Sequence, residues 1–224
     1  KMHQRKSKII FIYFFLLIIV SSISNNSIKN LKLINIQNIK ISGLDQKNNQ
    51  IILNKLKYLN LESIFYTNKN EIEKLLNSNS LIESYEVFKK YPSTININVK
   101  KTNFLAKVNN NGKIFLIGSN GKLIPEGKFN YNLPFIFGKP SIEDFLKFKK
   151  ILDKSKFSYN QVENLYFYPS KRWDLKLKEN ILLKLPGNFS NELLDSLYGF
   201  LENHNFKNFT VIDSRIKNQF ILNE

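Results

Sequence analysis

The segment Ile9–Val20 (IIFIYFFLLIIV) constrains this chain more than any other, because no charged residue interrupts it. A helix with no polar face cannot sit as an ordinary amphipathic element of a soluble core. Arg5, Lys6 and Lys8 precede the run with no acid among them, which directs that end to the cytoplasmic side of a membrane. Two readings remain open at this point. The run is short, and Ser22 and Ser24 are small residues where a signal peptide could be cleaved. A spanning helix needs about 20 residues, which requires counting from Ile9 to Ile28 and accepting the serines within it. Lys29 and Lys32 beyond the run reduce the charge asymmetry on which orientation rests.

The chain of 224 residues is long enough for one large domain or two small ones, and at 42% apolar it can build a core. The net charge of +16 comes mainly from scattered lysines in a chain also rich in Asn and Ile. A basic surface can meet nucleic acid, anionic lipid or acidic polymers. The clustered Arg and Lys of a nucleic-acid module are absent. There is no cysteine, so disulfides, thiolate catalysis and Cys-ligated metals are excluded.

Periodicity predicts a strand within Leu31–Ser42, ending at Gly43, and a helix over Asn48–Leu59 with Asn48 or Asn49 as its cap. A second helix is expected over Thr67–Leu76, with Glu71 and Glu73 early, where the helix dipole favours acids. Leu81–Lys90 and Ser93–Lys101 read as strands separated by Tyr91-Pro92, with Ile95, Ile97 and Val99 alternating against polar residues. Leu31–Lys101 therefore reads β-α-α-β-β, with both helices on one face of a small sheet, an α+β arrangement.

Beyond Lys101 the pattern is mostly short strands. Phe104–Val108, Lys113–Ile117 and Lys122–Pro125 are separated by Asn111-Gly112 and Asn120-Gly121, dipeptides suited to hairpins. Leu133–Phe137 is a further strand. Ser141 caps a helix to Asp153, with Asp144 three residues on. Val162–Tyr168, Trp173–Leu177 and Ile181–Leu185 come next as strands, then a helix over Ser190–Leu201 and a closing hairpin of Phe209–Asp213 and Asn218–Leu222.

Catalytic chemistry needs a convergent set of reactive groups, and none is legible. His3 and His204 are far apart and suggest no metal site. Glu71/Glu73 and Glu143/Asp144 fit helix first turns. Gly118-Ser119-Asn120-Gly121 precedes no helix and reads as a hairpin turn, not a phosphate cradle. Trp173 sits on the inward side of an alternating strand. The expectation is a binding protein without catalytic residues, metal or cofactor.

The order of elements and several short motifs carry a resemblance. Asn38-Ile39-Lys40-Ile41-Ser42-Gly43 runs as a strand ending in glycine. Val87–Val99 contains basic residues, Tyr91-Pro92, a polar pair and an alternating strand. Ala106, the stretch Ile114–Leu123, Leu133-Pro134 through Gly138, Arg172-Trp173-Asp174-Leu175-Lys176-Leu177 and Val211-Ile212-Asp213-Ser214-Arg215 come after it in order. Together these resemble the FtsQ/DivIB cell-division family: a short cytoplasmic tail, one membrane helix, a POTRA domain and a β domain. Leu81-Ile82-Glu83, Lys101-Thr102-Asn103-Phe104, Gly118 and Ile216 depart from the family pattern, and these departures bear on partner contacts rather than on the fold. The resemblance implies a tail at 1–8, a transmembrane helix at 9–28, a POTRA-like domain at 31–101 and a mixed β domain with two helices at 102–224. It also implies a non-catalytic divisome protein of the inner membrane, single-pass, with its bulk periplasmic. Its expected partners are FtsB- and FtsL-like bitopic proteins and other divisome proteins, and its expected role is to link early and late division proteins and regulate septal peptidoglycan synthesis. A signal-exported POTRA factor for outer-membrane assembly or secretion is the alternative.

The last expected strand lies at the chain end, so it should form a sheet edge. An edge offers unpaired backbone groups to an extended partner. The expected contact set is Arg215, Ile216, Lys217, Asn218, Gln219, Phe220, Ile221 and Leu222. Phe220 and Leu222 should face one way and Ile221 the other, with Arg215 and Lys217 pairing acids on the partner.

Overall fold

The computed structural model describes residues 3–22, 34–127, 131–203 and 209–223. The first helix, α1, covers His3–Ser22. Its early residues include Arg5, Lys6 and Lys8, so its apolar part begins only at Ile9. Among the described residues, no helix is long and apolar enough to cross a membrane. The C-terminal part of the expected span, residues 23–28, lies outside the described residues, as does His204.

Cα proximity divides the chain into two compact units: Lys1–Leu76 with Tyr85–Lys100, and Asn77–Ser84 with Lys101–Glu224. The expected β-α-α-β-β order runs over Asn38–Lys101, most of it in the first unit, with the end of the second helix and the start of the second strand assigned to the other. Strand β1 (Asn38–Ser42) leads to α2 (Gln46–Leu56), a 3-10 turn (Lys57–Leu61) and α3 (Lys69–Ser78), followed by β2 (Ile82–Lys90) and β3 (Thr94–Lys101). The sheet order is β1-β3-β2, with β1 parallel to the central β3. That pairing explains the long gap between them, since parallel strands need a crossover, here the two helices. One stripe of each helix is buried, at Ile52 and Leu56 in α2 and at Ile72 and Leu76 in α3, together with Ile95, Ile97 and Val99 of β3.

Local chemistry moved some boundaries. The helix expected from Asn48 begins at Gln46, with Asp45 in the cap position. Asn48 donates to the Asp45 carboxylate (Nδ2–Oδ2 3.1 Å) and Asn49 to the Leu44 carbonyl at 2.9 Å. Both asparagines therefore brace the turn from inside the helix. Gly43 has φ +109°, and a Cβ there would lie 1.6 Å from the Val99 carbonyl oxygen. Only glycine lets the chain leave β1 so close to β3.

The second unit holds β4 (Phe104–Asn110), β5 (Lys113–Gly118), β6 (Leu123–Pro125), β7 (Phe135–Phe137), α4 (Ile142–Leu152), β8 (Val162–Phe167), β9 (Trp173–Leu177), β10 (Leu182–Lys184), α5 (Asn191–Asn203), β11 (Val211–Asp213) and β12 (Ile221–Asn223). These strands form one nine-stranded sheet in the order β12-β11-β10-β9-β8-β7-β4-β5-β6. Two parallel joins, β7–β8 and β10–β11, are each bridged by a helix, α4 and α5 respectively. Asn111 and Gly112 both have positive φ (52° and 78°), the geometry of the tight turn expected between β4 and β5. The Gly118–Gly121 segment closes the β5–β6 hairpin, with Gly118 N–H donating to the Lys122 carbonyl at 3.0 Å. Ser141 caps α4 as expected, its Oγ accepting from the Asp144 amide at 3.0 Å.

The core of this unit gathers Phe145, Phe148 and Leu152 of α4, Leu194 and Leu197 of α5, and the inner face of the sheet. Trp173 is buried there, its ring centroid 4.6 Å from Phe148 and 4.8 Å from Phe167. It is a packing residue, as its place in the alternation predicted.

Candidate functional site

The chain ends in an edge. β12 pairs antiparallel with β11 in the register Val211↔Asn223, Ile212↔Leu222 and Asp213↔Ile221. Its other side has no neighbouring strand among the described residues. Residues 214–220 form the loop that brings the chain back. Ser214 anchors its start, with N–H and Oγ both bonded to the Lys184 carbonyl, at 3.0 and 2.8 Å. Asn218 turns the loop with φ +62°, a left-handed conformation that Asn tolerates better than most residues, and the Gln219 amide donates to Ile216 O at 3.3 Å.

Side chains along the edge divide as alternation requires. Phe220 and Leu222 are half-buried against the core, and the Phe220 ring lies 5.2 Å from that of Phe200 on α5. Ile221 is 45% exposed. Lys217, Asn218 and Gln219 are exposed, as is Ile216. Beside the loop lies a groove of about 690 Å³, lined on one wall by Phe189, Ser190 and Leu193 and on the other by Ser214–Phe220. This wall was not legible in the sequence, because Leu193 reads as an ordinary inward position of an amphipathic helix and Phe189 and Ser190 lie in the turn before it.

Arg215 is held within the chain. Its guanidinium donates to both carboxylate oxygens of Asp213, Nε at 2.8 Å to Oδ1 and 2.9 Å to Oδ2, and the Arg215 amide also donates to Oδ1 at 3.0 Å. These bonds favour the ionised carboxylate and hold Asp213 below the usual carboxylate range. The sequence motif held both Asp213 and Arg215, but it did not reveal that they pair with each other. In β11, residues i and i+2 share a side, so an Asp at the strand end and an Arg just past it can meet.

Registers across the sheet place Ile221, Asp213, Lys184, Asp174, Tyr166 and Phe137 in one lateral row. Asp174 is 1% exposed. Its Oδ1 accepts from Arg172 Nε at 3.3 Å, while Oδ2 is buried with no hydrogen-bond partner among the described residues. Burial raises its pKa above the ordinary carboxylate value, and Arg172 and Tyr168 partly oppose that shift.

Among the described residues, no group of three or more His, Asp or Glu side chains could hold a metal ion. The acidic pairs keep structural company: Glu73 pairs with Lys69 at 3.2 Å and Glu143 with Lys147 at 2.7 Å. The end of β12 thus presents a strand edge beside a groove of mixed polar and apolar lining, with Asp213 and Lys184 in the neighbouring positions of the lateral row.

Known proteins match this chain in sequence. Residues 34–101 match the family model described as POTRA domain, FtsQ-type. The cell division protein FtsQ of Rickettsia bellii is 30% identical over 193 residues, covering 84% of this chain and 71% of that protein. The cell division protein DivIB of Clostridium botulinum is 28% identical over 138 residues, covering 61% of this chain and 52% of that protein. The major extracytoplasmic domain of DivIB from Geobacillus stearothermophilus aligns at 12% identity over 47% of this chain and 98% of that one, with a TM-score of 0.35.

Proposed function

The chain belongs to the FtsQ/DivIB cell-division family, and on that premise we propose that it is a membrane-anchored, non-catalytic scaffold of the division machinery that captures an extended partner segment at β12. Its role in cell division follows from the family. Membership also removes the alternative of an outer-membrane assembly factor.

The observation that carries the binding reading is the position of β12: the outermost strand of a nine-stranded sheet, three residues long, with Ile221 exposed and no neighbour on its free side among the described residues. Strand addition supplies main-chain hydrogen bonds, and pockets for alternate side chains give specificity. The groove beside the loop supplies such a pocket. The contact set is Arg215, Ile216, Lys217, Asn218, Gln219, Phe220, Ile221 and Leu222. Their roles differ: Ile221 and the backbone of β12 meet the partner, Phe220 and Leu222 secure the strand from behind, and Arg215 acts through its pairing with Asp213. The partners are small bitopic proteins of the FtsB and FtsL type, and the consequence is regulation of septal peptidoglycan synthesis. The anchor is the segment 9–28, with the basic tail at 1–8 in the cytoplasm and the two units, expected as a POTRA-like domain at 31–101 and a β domain at 102–224, in the periplasm. Tethering in the same membrane raises the effective concentration of edge and partner.

Capture of the partners from detergent-solubilised membranes tests this. Ile221→Pro removes a strand donor and a branched side chain from the edge. Capture should fall sharply while Trp173 fluorescence reports an intact core; capture at the wild-type level with Ile221→Pro sinks the reading.

A further inference from the structure

The first unit carries an exposed cluster of large apolar side chains that its own core does not use. Phe65 and Tyr66 are each 48% exposed, Tyr91 58% and Leu61 73%. The rings of Phe65 and Tyr91 stack, with centroids 5.3 Å apart. Phe65 belongs to the loop between the 3-10 turn and α3, and Tyr91 to the turn between β2 and β3. Most exposed apolar residues occur singly and need no explanation, whereas a contiguous group marks a surface that something covers.

The path of the chain ties these loops to the segment that leads back to α1. The described chain resumes at Ile34 and runs between these same two loops before starting β1. On one side, the Ile64 amide donates to Ile34 O at 3.2 Å, the Ile36 amide donates to Glu62 O at 3.1 Å, and Asn35 forms a β-bridge with Ser63. On the other, the Gln37 and Asn38 amides donate to Ser93 O at 2.8 and 3.2 Å. The two loops bearing the aromatic pair are thus the ones that grip the segment leading back to α1. Only residues 23–33 separate Ser22 from Ile34, and even fully extended they reach about 40 Å.

We infer that Leu61, Phe65, Tyr66 and Tyr91 form a membrane-contacting foot that rests this unit on the outer surface of the bilayer in which α1 is anchored. Amphipathic rings favour the headgroup level of a bilayer. Lys57, exposed, opens the 3-10 turn that ends at Leu61, and exposed Lys90 immediately precedes Tyr91, so one cation flanks the rings on each loop, while Lys89 donates to the Thr67 carbonyl at 3.3 Å. Glu62 is the acid closest in sequence, and it is half-buried, its backbone carbonyl accepting from the Ile36 amide at 3.1 Å. The foot lies at the Asn38 end of β1. Lys100, near the opposite end of β3, is six residues beyond Thr94, or roughly 20 Å at about 3.3 Å per residue.

The inference rests on the anchor reading, and one experiment separates the two. The chain has no cysteine, so single cysteines can be labelled cleanly in the full chain embedded in nanodiscs. A fluorescent label is placed by Leu16→Cys, Tyr66→Cys or Lys100→Cys, and quenching by lipids carrying nitroxides at the headgroup or along the acyl chain is measured. The expected pattern is strong acyl-chain quenching at position 16, headgroup quenching at 66 several-fold above that at 100, and a larger value at 66 in anionic than in zwitterionic discs. The double variant Phe65→Ser/Tyr91→Ser should bring position 66 down to the level of position 100. Quenching at 16 with none at 66 overturns the foot, keeps the anchor and leaves the cluster to a protein partner. No quenching at 16 overturns the anchor, and the foot with it.

Discussion

Phe220 and Ile221 are adjacent in sequence, but their surroundings predict opposite consequences of mutation. Phe220 packs on Phe200 and against the core of the second unit; Ile221 points away and is nearly half exposed. Truncating a fully buried Phe to Ala costs about 3–5 kcal/mol. Phe220 is only half-buried, so Phe220→Ala should cost roughly half of that, about 1.5–2.5 kcal/mol. Ile221→Thr keeps a β-branched side chain and removes little buried area, so its effect should stay within about 0.5 kcal/mol. Trp173 is the only tryptophan and sits in that core, so its fluorescence during guanidinium unfolding reports the right unit. Phe220→Ala should lower the midpoint at unchanged slope, and Ile221→Thr should leave it in place. Equal losses from the two variants, or none from Phe220→Ala, would refute the division of the edge into a face that secures the strand and a face that is free to bind. The distinction also means that a binding defect in a Phe220 variant cannot be attributed to lost partner contacts alone.

Two other side chains give independent checks. Asp174 has its pKa raised by burial, so the folded state holds its proton more tightly than an unfolded chain with a pKa near 3.9. This group therefore favours folding most below that value, and the benefit is lost as pH rises through the higher folded pKa. Asp174→Asn should be at least as stable as wild type at pH 7 and lose that advantage on acidification; a large loss at pH 7 would show that the ionised carboxylate is needed. Gly43→Ala forces a Cβ into the Val99 carbonyl at a positive φ, a strain of about 1–3 kcal/mol before the clash is counted. Amide-exchange protection in β1 and β3 should drop markedly, and unchanged protection would contradict the close approach.

The β-α-α-β-β unit was legible because its signals are local. Ile95, Ile97 and Val99 alternate over enough residues to mark a strand, and the apolar spacing in α2 and α3 marks two helices. The second unit was legible as elements but not as one sheet. β7, β10, β11 and β12 are three residues each, and too few positions alternate to reveal register. The parallel joins made through α4 and α5 depend on long-range packing that no dipeptide encodes. The chain end was read as an edge from its position alone, and its side-chain alternation came from period two. Arg215 was expected to await a partner's acid; the structure pairs it with Asp213, an acid two residues away that the pattern had left without a role. Asp174 shows the same limit, since a charged residue on a strand reads as solvent-facing and only the tertiary fold buries it.

The most direct test of strand capture is a disulfide scan in membranes. With Ile221→Cys as the only cysteine in the chain, single cysteines are introduced in turn along the extended segment of the bitopic partner, and cross-linked product is quantified after mild oxidation. Pairing at β12 predicts cross-links at alternate partner positions within a narrow register, abolished when Ile221→Cys is replaced by Lys113→Cys on β5. Cross-links without a two-residue period, or none from position 221 while the partner still co-purifies, would place the partner elsewhere and contradict the central claim.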